Sequence, residues 1–351
     1  MRVLLLSPTT LPTVTGNALT TERWRRSLEQ LGVSVLTLSS RGQTVASLKE
    51  AIDHFQPVII HAHHAFQSGC RLLELSALGA GEGIPFVVSP AGTDINRDLE
   101  VAPRREVIAW VSRRARAIIA QGPGTLERLE EILPECGDRL FPVPKAIMWL
   151  GNDHFPLREA AGCAPGDVLF LQPAGVRPVK GNLECLKAME LVRELRPQVR
   201  VIFCGPELDP IYAARFAEAV HRSPGFAHWI PLVPPQAMRS VYEQADVVVN
   251  ASFSEGLSNA LLEGMACGLP LLASDIIGNR GPVSGEQGEA PAGLLFDPRN
   301  PREFIYQAVR LLDDASLRHS LAQAGKRRAA AWPTPAEEAR GLLTAYEFAC
   351  Q

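Results

Sequence analysis

Residues 252–274 read SFSEGLSNALLEGMACGLPLLAS and come just after the apolar run Val247–Asn250. An apolar run without polar alternation predicts a strand that is buried on both faces, and the pattern after it predicts a helix over residues 258–267. Gly268 is typical of a left-handed helix end, and the apolar residues 270–273 predict a second strand. A strand, a helix and a second strand in this order form the repeating unit of a parallel α/β sheet.

The same alternation of apolar runs and amphipathic stretches extends over both halves of the chain. In the first half the predicted strands are residues 3–6, 33–38, 58–61, 85–88 and 117–120, and the predicted helices are residues 20–30 and 45–54. In the second half the further predicted strands are residues 168–172 and 199–204, and the further predicted helices are residues 183–195, 211–222 and 237–244. Strands separated by helices predict parallel sheets that are covered on both faces.

The domain organisation follows from a break in this pattern. Residues 151–166 lose periodicity and collect Gly, Pro and Asn, as a linker does. We therefore expect an α/β protein with two doubly wound, Rossmann-like domains, over residues 1–150 and 167–334, and a C-terminal helical segment over residues 335–351. Ligands bind beyond the carboxyl ends of the strands in such sheets, so we expect the two domains to face each other across a cleft.

The composition is that of a globular protein without a general affinity for nucleic acids. Of the 351 residues, 46% are hydrophobic and 21% are charged, values that exclude disordered and collagen-like chains. The 35 basic and 38 acidic side chains give a formal net charge of −3, so we expect no nucleic-acid partner. Seven cysteines without CxxC spacing predict neither a zinc cluster nor a disulfide framework.

The apolar stretches of the sequence are short. None approaches the roughly 20 residues that a transmembrane helix needs. The amino-terminal segment MRVLLLSPTT also holds too short an apolar run for a signal peptide. On this pattern we expect a cytoplasmic location.

The loop and helix start within residues 252–274 carry the strongest chemical signal. The helix begins at the carboxyl end of a strand, where free N–H groups and the helix dipole favour an anion such as a pyrophosphate. Ser258 is placed to cap this helix, Glu255 lies before it and Glu263 lies inside it. The two carboxylates could then reach different parts of one ligand. Taken alone, Glu255 is better interpreted as a surface loop residue and Glu263 as a solvated helix residue. That interpretation is not the better one for the whole arrangement.

A second signal is the basic loop PAGVRPVKGN, residues 173–182, which follows the first predicted strand of the second domain. Arg177 and Lys180 in this loop lie at the same strand-carboxyl edge as Glu255. Charge-assisted hydrogen bonds from Arg and Lys stabilise the charge that develops on a leaving diphosphate. Taken alone, the loop is equally well explained as a solvated basic turn.

The spacing Glu255-x7-Glu263, with Arg177 and Lys180 upstream, resembles the donor site of the glycosyltransferase family 4 enzymes (group 1 domain), which have the GT-B fold. The closer similarity is to the glycosyltransferase 1 domain-containing proteins. The segments that carry it are TGNALTTERWRRSLEQLG, AGTDIN, AGVRPVKG, CGPELDP and NASFSEGLSNALLEGM. The resemblance implies retaining transfer of a sugar from a UDP- or GDP-linked donor to an acceptor, with neither a metal nor another cofactor. It also implies that the helix within residues 335–351 crosses back onto the first domain.

The resemblance further implies roles for single residues on the donor side. Glu255 would contact hydroxyls of the donor sugar, Glu263 would bind the ribose, and Arg177 and Lys180 would hold the distal phosphate. Of these, Glu255, Arg177 and Lys180 are the implied catalytic residues. The other implied donor-binding residues are Gly16, Asn17, Gly205, Pro206, Leu232, Gly256, Leu257 and Ser258. For the first two of these, an ordinary turn between strand and helix is the alternative.

On the acceptor side, the segment AGTDIN resembles a loop in which a histidine of the family often precedes Gly-Thr-Asp. Ala91 stands at that position here, so a role of that histidine is not carried over. Thr93 and Asp94 are acceptor-side candidates, and helix capping is an equally good interpretation of Asp94. His61 and His63 are further candidates, for an acceptor contact or a buried hydrogen bond. No nearby Cys or acidic residue completes a metal site with them.

Five arginines and one glutamate lie between Arg104 and Arg116 on a predicted helix of the first domain. A solvated basic face is the first interpretation of this segment. Peripheral contact with an acidic membrane surface, or with a phosphorylated acceptor, is the alternative.

Two other functions on the same fold stay open. One is a nucleotide-sugar hydrolase or epimerase, and the other is a nucleotide-sugar-binding protein without transfer activity. Release of nucleotide from UDP- and GDP-sugars, with and without an acceptor, distinguishes these functions from transfer.

Overall fold

The computed structural model of the protein describes residues 1–285 and 288–351. The chain divides into two compact units. The first unit comprises Met1–Met148 and Pro333–Gln351, and the second comprises Trp149–Trp332. Each unit is built on one six-stranded sheet flanked by helices, so the predicted α/β class is confirmed.

The strands are distributed evenly over the two units. The first sheet contains β1 (Arg2–Ser7), β2 (Ser34–Ser39), β3 (Ile59–His63), β4 (Phe86–Ser89), β5 (Ala117–Ala120) and β6 (Leu140–Pro142). The second sheet contains β7 (Val168–Pro173), β8 (Val199–Cys204), β9 (Ala227–Ile230), β10 (Val247–Asn250), β11 (Leu271–Ser274) and β12 (Gly293–Phe296).

The helices connect successive strands. The first unit begins with α1 (Gly16–Gln30), α2 (Val45–Phe55), α3 (Gln67–Ala77), α4 (Thr93–Asn96), α5 (Ala102–Arg114) and α6 (Pro123–Ile132). The second contains α7 (Leu157–Ala160), α8 (Asn182–Leu195), α9 (Pro210–His221), α10 (Met238–Glu243), α11 (Asn259–Ala266), α12 (Ile277–Ser284), α13 (Pro301–Asp313) and α14 (Ala315–Ala330). The last helix, α15 (Pro335–Ala349), belongs to the first unit again. Across the described residues, no helix has both the length and the apolar character that crossing a bilayer requires.

The strand order shows where each sheet can hold a ligand. The first sheet runs β2-β1-β3-β4-β5-β6 and the second runs β12-β11-β10-β7-β8-β9, with neighbouring strands parallel. The chain places β2 and β3 on opposite sides of β1, and β8 and β10 on opposite sides of β7. At such a switch point the connections leave the sheet on opposite faces and open a crevice at the carboxyl ends of the strands. The two crevices therefore lie between β1 and β3 and between β7 and β10.

The structure adds three strands that the sequence analysis does not predict, namely β6, β9 and β12. All three lie at the edges of their sheets. An edge strand has a neighbour on one side only and needs no long apolar run, and β6 is only three residues long. The apolar pattern therefore identifies the central strands and is silent about these edges.

The first helix starts earlier than its apolar pattern predicts. α1 begins at Gly16 because Thr15 has an extended backbone and caps the helix, its Oγ1 accepting a hydrogen bond from the N–H of Ala18 at 3.2 Å. Gly16 and Asn17 lie in the first turn of this helix. The prediction of a glycine loop before a helix that starts near residue 20 is therefore wrong.

A buried ion pair holds the C-terminal helix to the first unit. Glu338 of α15 is 2% exposed, and its carboxylate accepts hydrogen bonds from Arg23 Nε at 2.6 Å and Nη2 at 2.9 Å. The indole N–H of Trp24 donates a third bond, at 2.8 Å. Leu342 and Tyr346, further along α15, belong to the same buried apolar cluster as Trp24. α15 therefore completes the core of the first unit.

We expect Glu338→Ala to destabilise the first unit strongly. The substitution leaves the guanidinium of Arg23 buried without its carboxylate, a loss that typically costs about 3–5 kcal/mol. Glu347→Ala removes an exposed carboxylate from the same helix and is the matched control, with an expected cost below about 0.5 kcal/mol. Urea denaturation and amide hydrogen exchange of α15 measure both effects. Similar losses in the two variants would contradict the role given to the ion pair.

Candidate active site

Two loops meet at the switch point of the second sheet. Residues 173–182 begin at the end of β7 and residues 251–258 follow β10, and these two strands are neighbours. The N–H of Phe253 donates to the carbonyl oxygen of Val179 at 2.9 Å, which joins the loops through their backbones. The basic loop and the acidic loop therefore lie side by side at one end of the sheet.

Lys180 and Glu255 form an ion pair at the centre of this site. Lys180 Nζ lies 2.5 Å from Glu255 Oε1, and the two side chains are 18% and 13% exposed. Ser252 Oγ donates to the same carboxylate oxygen at 2.8 Å, and Asn250 Nδ2 donates to it at 3.4 Å. One oxygen of Glu255 therefore accepts hydrogen bonds from three different side chains.

These neighbours hold Glu255 in its charged form. Burial by itself would raise the pKa of the carboxyl group, but the charge of Lys180, the hydrogen bonds from Lys180 and Ser252, and the charge of Arg177 lower the pKa below its ordinary value. Glu255 is therefore a carboxylate at neutral pH. It can accept hydrogen bonds and stabilise positive charge, but it is not a proton donor. The structure brings Arg177, Lys180 and Glu255 together.

Gly181 lets the two loops approach each other. It follows the short helical turn Pro178–Lys180 and has a φ angle of +62°. A Cβ atom at this position would collide with the carbonyl oxygen of Ala251. Glycine is the residue that tolerates both a left-handed backbone and so close a contact. Gly181 therefore permits the separation at which Lys180 reaches Glu255.

The start of α11 differs from the prediction in its capping. Ser258 lies at the N-cap position, but its side chain makes no hydrogen bond to the first turn of the helix. Its Oγ accepts a hydrogen bond from Asn250 Nδ2 at 2.8 Å instead. Ser258 therefore does not satisfy the first N–H groups of α11, whose partial positive charge suits an anion. At the other end, Gly268 has the expected left-handed backbone, with a φ angle of +69°.

A buried polar network that the sequence analysis does not predict supports the acidic loop. Asn250 Oδ1 accepts a hydrogen bond from the N–H of Ser252 at 3.0 Å and one from Asn279 Nδ2 at 3.4 Å. Asn279 also donates to the carbonyl oxygen of Ser274, and Ser274 Oγ donates to the carbonyl oxygen of Ser252. The network fixes Ser252 and, through it, Glu255. Its signal in the sequence is a polar last residue in two apolar strands, Asn250 and Ser274.

Glu263 is anchored rather than solvated. It is half-buried in α11 and accepts a hydrogen bond from the hydroxyl of Tyr242 at 2.6 Å. Burial and the charge of Glu263 raise the pKa of Tyr242 well above its usual value, so Tyr242 stays a donor. Trp149 packs against Tyr242 with its ring edge, at 5.7 Å between centroids. The carboxylate of Glu263 is therefore held in a defined position.

The remaining donor-side candidates of the second unit border the same loops. Gly205 follows β8, and a Cβ atom there would collide with the carbonyl oxygen of Ala174. The carbonyl oxygen of Pro206 accepts a hydrogen bond from the N–H of Val176 at 2.8 Å. These contacts tie the loop after β8 to the loop after β7. Leu232, in the loop after β9, is 66% exposed.

Gly256 and Leu257 connect Glu255 to α11. Leu257 is buried, and Gly256 is covered by the start of α12. A Cβ atom at Gly278 of α12 would collide with the carbonyl oxygens of Glu255 and Gly256. The start of α12 therefore packs directly against the backbone of the acidic loop.

In the first unit, Gly16 and Asn17 lie near the switch point between β1 and β3. A Cβ atom at Gly16 would meet no atom of the described residues within 4 Å. The carbonyl oxygen of Asn17 accepts a hydrogen bond from Thr21 Oγ1 at 3.0 Å. The space beside Gly16 is thus not used by packing among the described residues.

His61 and His63 are buried side chains of β3 that share one hydrogen-bond network. His61 Nε2 and His63 Nδ1 lie 2.8 Å and 3.1 Å from Ser89 Oγ, and His61 Nδ1 lies 2.7 Å from the hydroxyl of Tyr346 in α15. The indole of Trp24 stacks on His61, with ring centroids 4.7 Å apart. Of the two interpretations of His61, the structure supports the buried hydrogen bond. In the described part of the chain, no three His, Cys, Asp or Glu side chains are arranged to hold a metal ion.

Asp94 joins two loops at the carboxyl edge of the first sheet. The side chain is fully buried. Its carboxylate accepts hydrogen bonds of 2.7–3.1 Å from the N–H groups of Ala65, Ala91, Gly92 and Ile95. Asp94 is the second residue of α4, whose N-cap position is Gly92, so its side chain ties the two loops together and does not act as an N-cap. Thr93 Oγ1 lies beside it, 3.2 Å from His64 Nε2.

Comparison with known proteins shows which family the second unit resembles. Residues 166–314 match the family described as glycosyl transferases group 1. Most of the second unit is therefore similar to the group 1 glycosyl transferases.

Two relatives extend beyond this domain. The glycosyltransferase 1 domain-containing protein 1 of Xenopus tropicalis is 26% identical over 340 residues, which cover 93% of this chain and 92% of that protein. The D-inositol 3-phosphate glycosyltransferase of Segniliparus rotundus is 25% identical over 325 residues, which cover 87% of this chain and 70% of that protein. The predicted family resemblance is confirmed.

Two solved structures share the fold of this protein. Sucrose-phosphate synthase from Thermosynechococcus elongatus has a TM-score of 0.81 at 17% identity and covers 99% of this chain and 98% of its own. Anabaena HepE, solved in complex with UDP-glucose, has a TM-score of 0.78 at 16% identity and covers 99% of both chains. The predicted GT-B fold class is therefore confirmed.

Gly181→Ala is expected to destabilise the second unit more than Gly162→Ala. Both glycines have nearly the same left-handed backbone, with φ angles of +62° and +60°. A side chain in that conformation typically costs about 1–2 kcal/mol, which both variants share. Only at Gly181 does the new Cβ also collide with a backbone carbonyl, whereas no described atom lies within 4 Å at Gly162. Urea denaturation measures the difference, and equal losses would contradict the close approach of the two loops.

The stability of the protein is expected to fall as the pH decreases below about 6.5, the usual pKa of histidine. Burial lowers the pKa of His61 to about 3 and that of His63 well below its usual value. As the pH decreases, the unfolded chain therefore takes up a proton at each histidine before the folded chain does. The free energy of unfolding has its full value above the pKa of the unfolded chain. For each such histidine it falls by up to about 1.4 kcal/mol per pH unit as the pH decreases toward the folded pKa.

Urea denaturation at a series of pH values tests this dependence. His61→Asn is expected to reduce the slope between neutral and acidic pH. His319→Asn, at an exposed histidine, is the control and should leave the slope unchanged. A slope that persists in full in His61→Asn would exclude His61 as its source.

Proposed function

We propose that the protein is a retaining glycosyltransferase that transfers a sugar from a UDP- or GDP-linked donor to an acceptor without a metal ion. The observation that carries the proposal is the Lys180–Glu255 ion pair at the switch point of the second sheet, beside Arg177. Cationic side chains suit a diphosphate, and an ionised carboxylate suits the hydroxyls of a sugar. HepE, which shares the fold, was solved with UDP-glucose and with UDP, which supports a nucleotide-sugar donor.

In the proposed reaction, the bond between the sugar C1 and the terminal phosphate oxygen breaks. Negative charge then develops on the diphosphate, where Arg177, Lys180 and the first N–H groups of α11 stabilise it. A lysine ammonium has three N–H donors, so Lys180 can donate to the phosphate while it keeps Glu255 as a partner. Because this charge is largest in the transition state, its stabilisation raises the rate rather than only the affinity.

Retention of configuration follows when the acceptor attacks the face that the diphosphate leaves. The acceptor oxygen forms the new bond to C1, and its proton passes to the oxygen of the leaving phosphate. This step needs no protein group as a proton donor, which agrees with the low pKa of Glu255. The carboxylate of Glu255 orients the sugar hydroxyls and stabilises positive charge on the ring.

Glu263 is proposed to bind the ribose hydroxyls. It lies inside α11, about one helical turn from the end that faces the diphosphate, and one turn spans about 5 Å. The hydrogen bond from Tyr242 holds its carboxylate in place. Gly205, Pro206 and Leu232 are proposed to border the base, because their loops lie at the same edge of the sheet.

The first unit is proposed to bind the acceptor. The candidates are His63, the last residue of β3, and Thr93, in the connection after β4. Gly16 and Asn17 are proposed to approach the donor phosphate, because a side chain at Gly16 would fill space that packing leaves open. A cytoplasmic location, and a membrane contact through the arginines between Arg104 and Arg116, stay predictions.

Nucleotide release tests the proposed function. The full chain is incubated with UDP-glucose, UDP-N-acetylglucosamine and GDP-mannose, with and without a mixture of sugar and polyol acceptors, and with and without EDTA. Release that requires an acceptor, continues in EDTA and yields a product of unchanged anomeric configuration by NMR is expected. Equal release without acceptor would instead indicate a hydrolase, and binding without release would indicate a nucleotide-sugar-binding protein.

Glu255→Gln is expected to lower kcat of transfer by about 10²–10³-fold, because it removes a charge that acts in the transition state. The Kd for UDP should change by less than about threefold, since the phosphate contacts assigned to Arg177 and Lys180 remain. Glu218→Gln on α9 removes an exposed carboxylate and should leave both quantities unchanged. Unchanged turnover in Glu255→Gln would remove Glu255 from the mechanism.

A further inference from the structure

The first unit contains a cavity of about 400 Å³ at the carboxyl edge of its sheet. Three successive connections form its walls. Arg41 follows β2, Phe66 and Arg71 come from the start of α3, and Arg104 lies in the first turn of α5. The volume lies within the range of about 300–1,000 Å³ that is typical of small-molecule sites.

The lining of this cavity carries an excess of positive charge. Arg41, Arg71 and Arg104 contribute three positive charges, and Glu74 and Asp98 contribute two negative ones, which leaves one positive charge. Among the described residues, no acidic side chain pairs with Arg41, whose Nε donates to the amide oxygen of Gln67 at 2.9 Å. The cavity is therefore electrostatically suited to an anion.

The arginines are held in place by contacts that leave them able to bind a ligand. Arg71 Nε donates to the carbonyl oxygen of Ser40 at 2.9 Å, and its Nη1 pairs with Glu74, whose side chain is 44% exposed. An exposed pair of this kind contributes little to stability, so an incoming anion can replace Glu74 at small cost. Arg104 lies over the ring of Phe66, 5.4 Å from its centroid, and pairs with Asp98 at 2.7 Å.

The cavity lies at the same edge of the first sheet as its ligand crevice. Ser68 Oγ, in the first turn of α3, donates to the carbonyl oxygen of His63 at 2.6 Å and lies 3.5 Å from Ser40 Oγ. Ser40 lines the cavity, and His63 is the last residue of β3, at the switch point. A short chain of buried polar groups therefore links the wall of the cavity to the end of β3, at the same sheet edge as the crevice between β1 and β3.

We propose that this cavity binds a phosphate group of the acceptor, so that the transferase acts on a phosphorylated acceptor. This proposal rests on the proposed function, because it takes the bound molecule to be the acceptor of a sugar. The cavity and its charge do not depend on that function. Planar guanidinium groups bind phosphate oxygens in pairs, and three arginines line this cavity.

Phosphate binding is tested on the full chain with saturating UDP, which blocks the phosphate site of the donor. Glucose and glucose 6-phosphate are titrated by calorimetry, and phosphatidylcholine vesicles with and without phosphatidic acid are compared by sedimentation. The calorimetry tests a soluble phosphate monoester, and the sedimentation tests a phosphate monoester on a lipid. We expect glucose 6-phosphate or the phosphatidic acid vesicles to bind, and the matched neutral probe not to bind.

The double variant Arg41→Gln/Arg71→Gln is expected to weaken this binding at least about tenfold, since it removes charge-assisted hydrogen bonds from two guanidinium groups. Arg222→Gln, at an exposed arginine that pairs with Glu218, is the control and should bind like the unmodified chain. The melting temperature and the Kd for UDP report whether the double variant folds and keeps its donor site.

Three outcomes would overturn the proposal. They are no binding of either phosphorylated probe, equal binding of the neutral probe, and equal affinity in the double variant. Loss of UDP binding by the unmodified chain would instead contradict the proposed function. In that case inorganic phosphate, titrated into the unmodified chain and the double variant, still decides whether the cavity binds phosphate.

Discussion

The candidate site depends on one close approach, that of the loops after β7 and β10. Gly181 lies against the carbonyl of Ala251, the backbones are joined from Phe253 to Val179, and Lys180 then reaches Glu255. This approach requires β7 and β10 to be neighbours, although the 73 residues from 174 to 246 lie between them in the sequence. The doubly wound strand order places these two strands side by side in the sheet. The chemistry of the site is therefore a consequence of topology before it is a consequence of any single side chain.

Much of this arrangement is readable from the sequence, because central parallel strands are continuous apolar runs and their carboxyl ends share one edge. That rule is enough to place Arg177, Lys180 and Glu255 together. It misses three of the four edge strands, β6, β9 and β12, which have three or four residues each. It also cannot supply the partners of Ser258 or Ser252. Those partners depend on where Asn250 and Ser274, at the ends of neighbouring strands, direct their side chains.

The first unit shows a different limit of sequence reasoning. His61 and His63 have a spacing that suits two side chains binding one ligand. In the structure, however, His61 is buried and makes its hydrogen bonds within the protein. Its partner Tyr346 lies 285 positions away, on a helix whose place against the sheet is fixed by the buried contacts of Glu338. No local pattern reveals that a distant helix will cover a histidine. The same burial that removes His61 from a surface role lowers its pKa and makes it neutral in the folded chain.

Burial has the opposite consequence for Glu255, and the difference lies in the partners. Burial disfavours the charged form of each group, lowering the pKa of a histidine and raising that of a carboxyl. His61 meets hydroxyl groups, which do not oppose the loss of its charge, so the effect of burial prevails. Glu255 meets Lys180, Ser252 and the charge of Arg177, which together outweigh burial and keep it ionised. In the proposed reaction, a largely buried carboxylate that is ionised before any ligand arrives is already organised for a sugar that becomes positively charged, and the close approach of the two loops secures this preorganisation.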